Sequence, residues 1–144
     1  MSDSPAIDLR KRDSFSHWTP VSIRFSDQDP LGHVNNVAIA AYVETGRTML
    51  IEQFRPPGDS GVGFVLANVC IDYRAEVHYP GTVEVGGRIL KVGTRSFTSG
   101  YGLFAGGLCV ATATSVNVFF DTRTRKAVTP PAGIRAKLLA AAGG

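Results

Sequence analysis

One long stretch of helical periodicity most constrains the fold of this chain. Between Val37 and Phe54, apolar or small side chains recur at helical spacing and form a stripe that is apolar enough to be buried. The stripe consists of Ile39, Val43, Gly46, Leu50 and Phe54, with Tyr42 and Met49 beside it. The segment before the helix alternates like a strand at Val21, Ile23 and Phe25. A lone helix of this kind must bury its stripe against a sheet.

The chain after the helix predicts several antiparallel strands. Strict alternation predicts one long strand with a buried face that carries Val65, Ala67, Val69, Ile71, Tyr73, Ala75 and Val77. Further strands are predicted over residues 82–92, 95–104 and 108–120. A shift of apolar parity predicts a bulge at the glycine pair 86–87, and the pair 106–107 is typical of a two-residue hairpin.

The order of strand, helix and further strands predicts an α+β architecture. The economical arrangement is a curved antiparallel sheet of five to six strands wrapped around one central helix. One helix leaves the sheet edges and part of the apolar face uncovered, and an open edge invites pairing. We therefore expect at least a homodimer in which strands continue across a two-fold axis.

Length and composition indicate one globular domain. A chain of 144 residues with 44% hydrophobic content can bury a core but is too short for two domains. We predict a flexible, solvated arm over residues 1–16, the domain over 17–131 and a C-terminal tail over 132–144 with one or two helical turns. The net charge is +3 but only 19% of residues are charged, and the basic residues 10–12 lack interleaved aromatics, so no nucleic-acid site is predicted.

The cysteines and histidines predict no metal centre. Cys70 and Cys109 lie in strand-like runs, so we expect a reduced interior pair, with a disulfide as the alternative. The histidines and cysteines are not spaced as metal ligands. The first residues carry charges and no uninterrupted apolar run, so neither a secretory signal nor a membrane span is expected, and a cytoplasmic location is predicted.

The residues that join the first strand to the helix have the composition of a reactive site. Asp29 to Gly32 reads as a type I turn, with Asp first, Pro second and Gly fourth. Asn35 or Asn36 then occupies the helix N-cap. The first N–H groups of a helix lack intrahelical acceptors, and the dipole adds about half a positive charge there. Asp29 is therefore a candidate general base or nucleophile, and nearby N–H groups are candidate donors to an oxyanion.

This stretch resembles a known enzyme family. The run D-x-D-P-x-G-H-V-N-N over residues 27–36, followed by Y-x-E-x-x-R from Tyr42 to Arg47, is similar to the hotdog-fold acyl-CoA thioesterases of the 4-hydroxybenzoyl-CoA thioesterase group. It also resembles their long-chain and acyl-carrier-protein relatives. The similarity continues over residues 71–74, 93–97 and 119–121. The resemblance spans about residues 20 to 131, and it implies a hotdog fold in dimers or tetramers with the acyl site at the subunit interface.

The resemblance also implies roles for individual residues. Asp29 would act as nucleophile or as general base for water, two routes that the sequence leaves open, and the backbone N–H of Asn36 would polarise the thioester carbonyl. His33 either donates a proton to the departing thiolate or hydrogen-bonds around the turn. Glu44 either forms an ion pair with Arg47 or serves as the catalytic carboxylate, as in some thioesterases of this fold. The other aspartate of the motif, Asp27, is expected to be structural.

Substrate contacts are predicted at seven further positions. Two cationic segments match positions that approach coenzyme phosphates in relatives, and they could equally be solvated loop residues. Ile39 stands where relatives often have an aromatic residue, so an aliphatic or fatty acyl group is expected rather than 4-hydroxybenzoyl. The predicted substrate-binding residues are Asn35, Tyr42, Phe64, Arg95, Ser96, Arg125 and Lys126.

The sequence therefore predicts an acyl-CoA thioesterase that releases a free acid and CoA. Neither a metal nor a redox cofactor is expected, and coenzyme A enters only as part of the substrate. No membrane or nucleic-acid partner is expected. Two alternatives remain: a thioesterase for acyl carrier protein, and a hotdog module that binds acyl groups without turnover.

Overall fold

A five-stranded antiparallel sheet and one long helix make up most of the structure, a computed structural model that describes residues 6–55 and 61–143. The elements in chain order are β1 (His17–Ser22), α1 (Asn36–Glu52), β2 (Val62–Tyr73), β3 (Thr82–Val92), β4 (Ser96–Ala105), β5 (Leu108–Asp121) and α2 (Ala132–Ala142), with short 3-10 turns at Arg12–Ser14 and Phe25–Asp27. The strands lie in the order β1-β3-β4-β5-β2, each antiparallel to its neighbours. The predicted hotdog fold is confirmed. The first strand ends earlier than predicted, because Phe25 turns into the second 3-10 turn and is exposed.

Helix α1 packs its stripe against β3, with further contacts to β1 and β4. All five stripe residues are buried, including Phe54, which lies just beyond the helix end. Met49 is 51% exposed and lies outside the core. A Cβ atom on Gly46 would overlap Cγ1 of Val85 and lie 2.9 Å from its Cβ. The helix backbone therefore rests directly on β3 at this point.

The predicted bulge at Gly86 and Gly87 is wrong. Both glycines pair in regular register with β1 and β4, and the register of β3 against β4 shifts instead between Ile89 and Lys91. The glycines allow close packing on both faces of the sheet: a Cβ on Gly87 would lie 3.3 Å from Leu50, and one on Gly86 would lie 2.6 Å from the Phe15 ring. The change of apolar parity therefore comes from the extra residue Leu90, three residues after the predicted position.

The N-terminal segment lies against the outer face of the sheet, where a solvated arm was predicted. Phe15 is buried and makes edge contacts with Trp18 and Phe104. The Arg12 guanidinium lies over the Trp18 ring at 4.3 Å and pairs with Glu84. Residues 1–5 of the predicted arm lie outside the described part of the chain.

Strand β2 departs from the predicted strict alternation. Its register against β5 shifts between Leu66 and Asn68, so Ala67 is an extra residue that reverses the parity of the strand. Phe64 and Leu66 therefore share the helix-facing side with Val69, Ile71 and Tyr73, and Val65 lies on the opposite face. The predicted buried face is also largely exposed, since β2 is an edge of the sheet and Val65, Val69 and Tyr73 remain accessible.

The C-terminal segment, predicted as a tail with one or two helical turns, forms a longer helix. Helix α2 spans eleven residues and packs against β3. Ile134 and Leu138 are buried, Leu138 completely. These two residues are one helical turn apart, so they lie on the same face of α2, and that face joins the core. Gly144 lies outside the described residues.

Neither cysteine forms a disulfide. Both Cys70 and Cys109 are free thiols. Cys70 is exposed and Cys109 is half-buried, so the expectation of an interior pair is wrong. The reason is again the edge position of β2, which leaves the outward side of that strand uncovered.

We expect Gly46→Ala to destabilise the fold, because the added methyl group overlaps the buried Val85 side chain. Overpacking of this kind costs about 1–3 kcal/mol. Gly133→Ala on α2 is the matched control, since a Cβ there meets nothing within 4 Å. Its replacement should leave stability unchanged or raise it by up to about 1 kcal/mol. Urea unfolding of both variants measures the difference, and equal effects would contradict the close helix–sheet contact.

Candidate active site

The predicted turn before the helix is present and is closed by its own hydrogen bonds. The N–H of Gly32 donates to the Asp29 carbonyl at 3.0 Å, and the N–H of Leu31 donates to Asp29 Oδ1 at 2.9 Å. The N–H of Asp29 donates to the carbonyl of His33 at 3.0 Å. Gly32 has a φ of 86°, a left-handed conformation that favours glycine. The turn therefore presents Asp29 and His33 from a short, internally bonded loop.

The helix begins where the sequence placed it, and Asn35 is the N-cap. Its Oδ1 atom accepts the N–H of Ala38 at 2.7 Å. Asn36 is the first helical residue, and its side chain is exposed. Within residues 6–55 and 61–143, no acceptor receives the N–H groups of Asn36 and Val37. These donors at the positive end of the helix are available to an anionic oxygen.

Asp27 anchors the turn to the helix. Tyr42 Oη donates to Asp27 Oδ2 at 2.6 Å, and the Nε and Nη2 atoms of Arg24 donate to Oδ1 at 3.1 and 3.0 Å. The Asp27 carbonyl accepts the N–H of Asn35 at 3.0 Å. Asp27 is only 3% exposed and Tyr42 only 4%. The prediction that Asp27 is structural agrees with this position, whereas Tyr42 lies in the core rather than at the surface of a cleft.

The hydrogen bonds decide the charge state of this anchor. Burial alone raises the pKa of the Asp27 carboxyl, but the hydrogen bonds from Tyr42 and Arg24 outweigh burial and hold its pKa below the ordinary 3.8. Burial and the bond to Asp27 raise the pKa of the Tyr42 phenol. The stability that Asp27 contributes is therefore present above its ordinary pKa and is lost as the pH falls through the lowered value.

A cavity of about 270 Å³ opens beside the helix N-terminus. Among the predicted catalytic residues, His33 and Asn36 line it directly. The remaining lining is mostly contributed by the end of β2 and its neighbours: Val34, Ile39, Tyr73, Arg74, Ala75, Glu76, Val77 and Val110. Ile39 was noted in the sequence as an aliphatic position, and it now forms part of the wall.

Tyr73 lines this cavity, whereas the sequence pattern predicted it only as a strand residue. Its hydroxyl donates to the carbonyl of Asn36 at 3.4 Å, and the side chain is 50% exposed. An aromatic residue at the end of a strand pattern was the available signal. Its approach to the helix start depends on the bulge at Ala67, which decides the face that Tyr73 occupies.

Asp29 lies next to the cavity rather than on its wall. Its Oδ2 atom is 3.7 Å from Nδ1 of His33, and both side chains are partly exposed. The same ring nitrogen lies 3.2 Å from the carbonyl of Val34. The structure therefore brings Asp29, His33 and the Asn36 N–H to one small region, with Asn35 as its cap.

Glu44 is not part of that region within one chain. It lies eight residues after Asn36, roughly 12 Å along the helix axis, and is exposed. Both its carboxylate oxygens accept bonds from Arg47, at 3.0 Å each. Nη1 of Arg47 also donates to Oδ1 of the fully buried Asn117 at 3.2 Å. This geometry matches the ion-pair alternative and places Arg47 over the centre of the sheet.

Phe64 lies far from the turn that carries Asp29. Its ring packs against Phe97 and Phe119, with centroids 5.8 and 5.2 Å away. It also lines a second cavity of about 160 Å³, together with Arg47, Thr48, Ile51, Glu52 and Arg55. This cavity lies between the later turns of α1 and the start of β2.

The two predicted cationic segments meet at one end of β5. The Arg95 carbonyl accepts the N–H of Phe119 at 2.9 Å, and Ser96 pairs with Val118. The Lys126 carbonyl accepts the N–H of Asp121 at 2.9 Å. Arg125 has a φ of 63°, and its guanidinium lies 5.3 Å from the Phe120 ring centroid. Apart from the half-buried Ser96, their side chains are exposed. Val110, which lines the cavity at the helix N-terminus, lies nine residues from Phe119 on the same strand, roughly 30 Å.

The described residues also bear on metals and membranes. Within 6–55 and 61–143, no group of three or more His, Cys, Asp and Glu side chains could hold a metal ion. In the same part of the chain, neither helix has the length and apolar character needed to cross a bilayer.

Comparison with known proteins identifies the class. A family model described as the thioesterase-like superfamily matches residues 23–138. Because this match covers most of the chain, the protein belongs to the thioesterase-like superfamily. The prediction of a thioester hydrolase is confirmed at this level. No curated protein matches the chain significantly.

Solved structures resemble the chain over nearly its whole length. A protein from Pseudomonas aeruginosa strain PAO1 is 29% identical with a TM-score of 0.79, and the match covers 90% of this chain and 94% of that one. A predicted thioesterase from Bacillus stearothermophilus is 28% identical with a TM-score of 0.79, covering 86% and 94%. A thioesterase from Thermus thermophilus, solved with coenzyme A and zinc, is 29% identical with a TM-score of 0.77, covering 88% and 94%.

Proposed function

We propose that this thioester hydrolase cleaves aliphatic acyl-CoA to the free acid and CoA, with Asp29 as the catalytic carboxylate. The observation that carries the proposal is that His33 and Asn36 line one cavity and that the Asp29 carboxylate lies beside it, 3.7 Å from Nδ1 of His33. Hydrolysis of a thioester requires only a carboxylate and a preorganised donor for the developing oxyanion. The similarity to a thioesterase solved with coenzyme A supports CoA as the thiol.

The reaction follows from where the charges develop. The thioester carbonyl oxygen accepts the Asn36 N–H, and the helix dipole stabilises its negative charge in the tetrahedral intermediate. Asp29 either removes a proton from the attacking water or attacks the carbonyl carbon itself. In the second route water hydrolyses the resulting mixed anhydride. Both routes expel the CoA thiolate, and in this proposal His33 protonates it.

The cavity wall supports an aliphatic acyl group. Ile39, Val77 and Val110 contribute branched aliphatic side chains, and Tyr73 contributes a phenol ring that is bonded to the helix start. Branched walls accept a flexible chain, whereas a flat aromatic acid gains from ring stacking. A panel of acetyl-, octanoyl-, palmitoyl- and benzoyl-CoA identifies the acyl class.

We also propose that the active form is a homodimer joined through β2. This edge strand runs for twelve residues and exposes Val65, Val69 and Tyr73. The other edge, β1, is half as long and contains Pro20, which cannot donate a ladder hydrogen bond. A two-fold axis through β2 would pair the strand with its own copy in antiparallel register.

Such a dimer would also bring together parts of the site that one chain keeps apart. Within one chain, the cationic segments at Arg95 and Arg125 and the catalytic turn lie at opposite ends of the sheet. Antiparallel pairing of two β2 strands places the beginning of one strand beside the end of the other. The cations of one protomer would then face the coenzyme phosphates bound at the turn of its partner.

Asp29→Asn should lower kcat for acyl-CoA hydrolysis by roughly 10²–10⁴-fold, since the amide neither accepts a proton nor attacks the carbonyl. Release of free thiol by the purified protein measures this directly. Asp13→Asn removes an equal charge from an exposed position and should hydrolyse at the parent rate.

Two outcomes would redirect the assignment. If neither the parent nor Asp29→Asn releases thiol from any acyl thioester, the protein is an acyl-binding module. If Asp29→Asn retains full activity, Glu44 becomes the next candidate carboxylate, and Glu44→Gln should then abolish turnover.

Arg95→Gln combined with Arg125→Gln should raise the KM for acyl-CoA roughly tenfold with little change in kcat. The lost charge-assisted contacts to phosphate contribute equally to binding of the substrate and of the transition state. Free CoA should inhibit the double variant less than the parent. Lys11→Gln with Lys137→Gln makes the same change in net charge at exposed positions elsewhere. An unchanged KM and no competition by CoA would instead favour acyl carrier protein as the thiol carrier.

Val69→Glu should convert the dimer to monomers, because it places a charge on the exposed side chain of the β2 edge. Leu108→Glu is the matched control: Val69 is 43% exposed and Leu108 is 59% exposed, but Leu108 lies at the β4–β5 hairpin. Sedimentation velocity measures the mass of each variant. A dimer that survives Val69→Glu, or a parent that is already monomeric, would contradict pairing through β2.

The cytoplasmic location remains a prediction from the sequence.

A further inference from the structure

Asp27 is a buried charged residue that the proposed reaction does not use. Four donors surround its carboxylate: Tyr42 Oη at 2.6 Å, the Arg24 N–H at 2.9 Å, and the Nε and Nη2 atoms of Arg24. A carboxylate taken out of water is costly unless hydrogen bonds satisfy it. Its burial and complete hydrogen bonding two residues before Asp29 indicate that the bonds serve the arrangement of the turn.

Asp27 closes the proposed catalytic loop, residues 28–34. The two ends of this loop lie side by side, because the N–H of Asn35 donates to the Asp27 carbonyl and Gln28 forms a β-bridge with Val34. The same residue thus binds the N-cap through its backbone and the helix through its side chain. Among the described residues, no bond in the loop itself connects Asp29 to the body of the helix beyond its first turn.

Tyr42 supplies the connection to the helix body. It lies six residues after Asn36, roughly 9 Å along the axis, on the buried side of α1. The cap at Asn35 and the phenol of Tyr42 therefore connect the loop to the helix at two points. The Val34 N–H also donates to the Val77 carbonyl at 2.7 Å, and Nδ1 of His78 lies 3.2 Å from the Gly32 carbonyl, so the Tyr42 bond acts together with contacts to the segment after β2.

We propose that Asp27 and Tyr42 are positioning residues that hold the Asp29 carboxylate and the Asn36 N–H at the distance required by one thioester carbonyl. The proposal rests on the proposed function, in which Asp29 acts at the thioester carbonyl carbon and the Asn36 N–H binds the oxygen of the same carbonyl. Displacement of a catalytic group by about 1 Å can lower turnover by 10²-fold. The hydroxyl of Tyr42 affects turnover through Asp29, without touching substrate.

Tyr42→Phe tests the proposal, because it removes one hydroxyl and keeps the ring that fills the core. We expect kcat to fall roughly 10–100-fold while KM stays within about twofold, the pattern of an interaction used only in the transition state. Tyr101→Phe is the matched control. That ring is also fully buried, and its hydroxyl lies 2.9 Å from Ser115 Oγ, but it belongs to β4 and its bond lies within the sheet.

Amide hydrogen exchange supplies a second measurement that is independent of substrate. In Tyr42→Phe the N–H groups of residues 28, 29 and 31–35 should exchange faster, above all that of Asn35, whose acceptor is the Asp27 carbonyl. Tyr101→Phe should leave the exchange of these amides as in the parent. A kcat equal to the parent, or equal losses of kcat in the two variants, would overturn the positioning role.

The outcomes separate this proposal from the proposed function. If Asp29→Asn keeps full activity, the proposed function fails whatever Tyr42→Phe does. If Asp29→Asn is inactive and Tyr42→Phe has the parent kcat, only the positioning role fails.

Should Tyr42→Phe not fold, Arg24→Gln takes its place. The Arg24 side chain is 76% exposed, and this change removes two donors from the outer side of the Asp27 carboxylate. Arg12→Gln, which breaks the exposed pair with Glu84, is its control. We expect a several-fold loss of kcat for Arg24→Gln alone. Parent-like kcat and exchange in Arg24→Gln would then overturn the proposal.

Discussion

The contact between Gly46 and Val85 sets how deeply helix α1 lies in the curved sheet. Nothing larger than hydrogen fits between the helix backbone and β3 at this position, and Leu50 packs onto Gly87 about one turn later. Because interiors are packed to the density of organic crystals, a helix seated at this depth has little freedom to shift or roll. The place of its N-terminus, and hence of the N–H groups proposed as oxyanion donors, follows from apolar packing several turns away.

Buried polar groups then fix the orientation of the helix and of the loop before it, which apolar packing alone does not determine. Asp27 binds the catalytic loop to the second turn of the helix, and Asn117 binds Arg47 over the middle of the sheet. Asn117 is itself held by Ser99 and by the carbonyl of Phe97. Polar networks in a low-dielectric interior are specific when every member is satisfied. These two networks orient the helix and its loop in ways that nonspecific apolar contacts do not.

In the proposed site, a single chain contains the predicted catalytic turn and presents the predicted cationic segments at the opposite end of the sheet. The long exposed edge of β2 offers the means to combine them, since antiparallel pairing about a two-fold axis brings unlike ends together. In the proposed dimer, binding of the coenzyme and cleavage of the thioester are therefore shared between two protomers. The exposure of β2 that contradicts the predicted buried strand is then a functional property of the edge.

From the sequence alone, the family resemblance predicted the enzyme class, and local patterns determined the helix, an N-cap at Asn35 or Asn36, the turn that carries Asp29 and the hairpin at residues 106–107. These depend on spacing and on the conformational preferences of Asp, Pro, Gly and Asn, which act over a few residues. The tertiary structure alone decided that Ala67 reverses the face of β2, that Tyr73 reaches Asn36, and that Tyr42 belongs to the anchor of Asp27 rather than to a cleft wall. Those outcomes depend on strand register and on contacts between residues distant in the chain, and alternation along one segment carries no information about its partner.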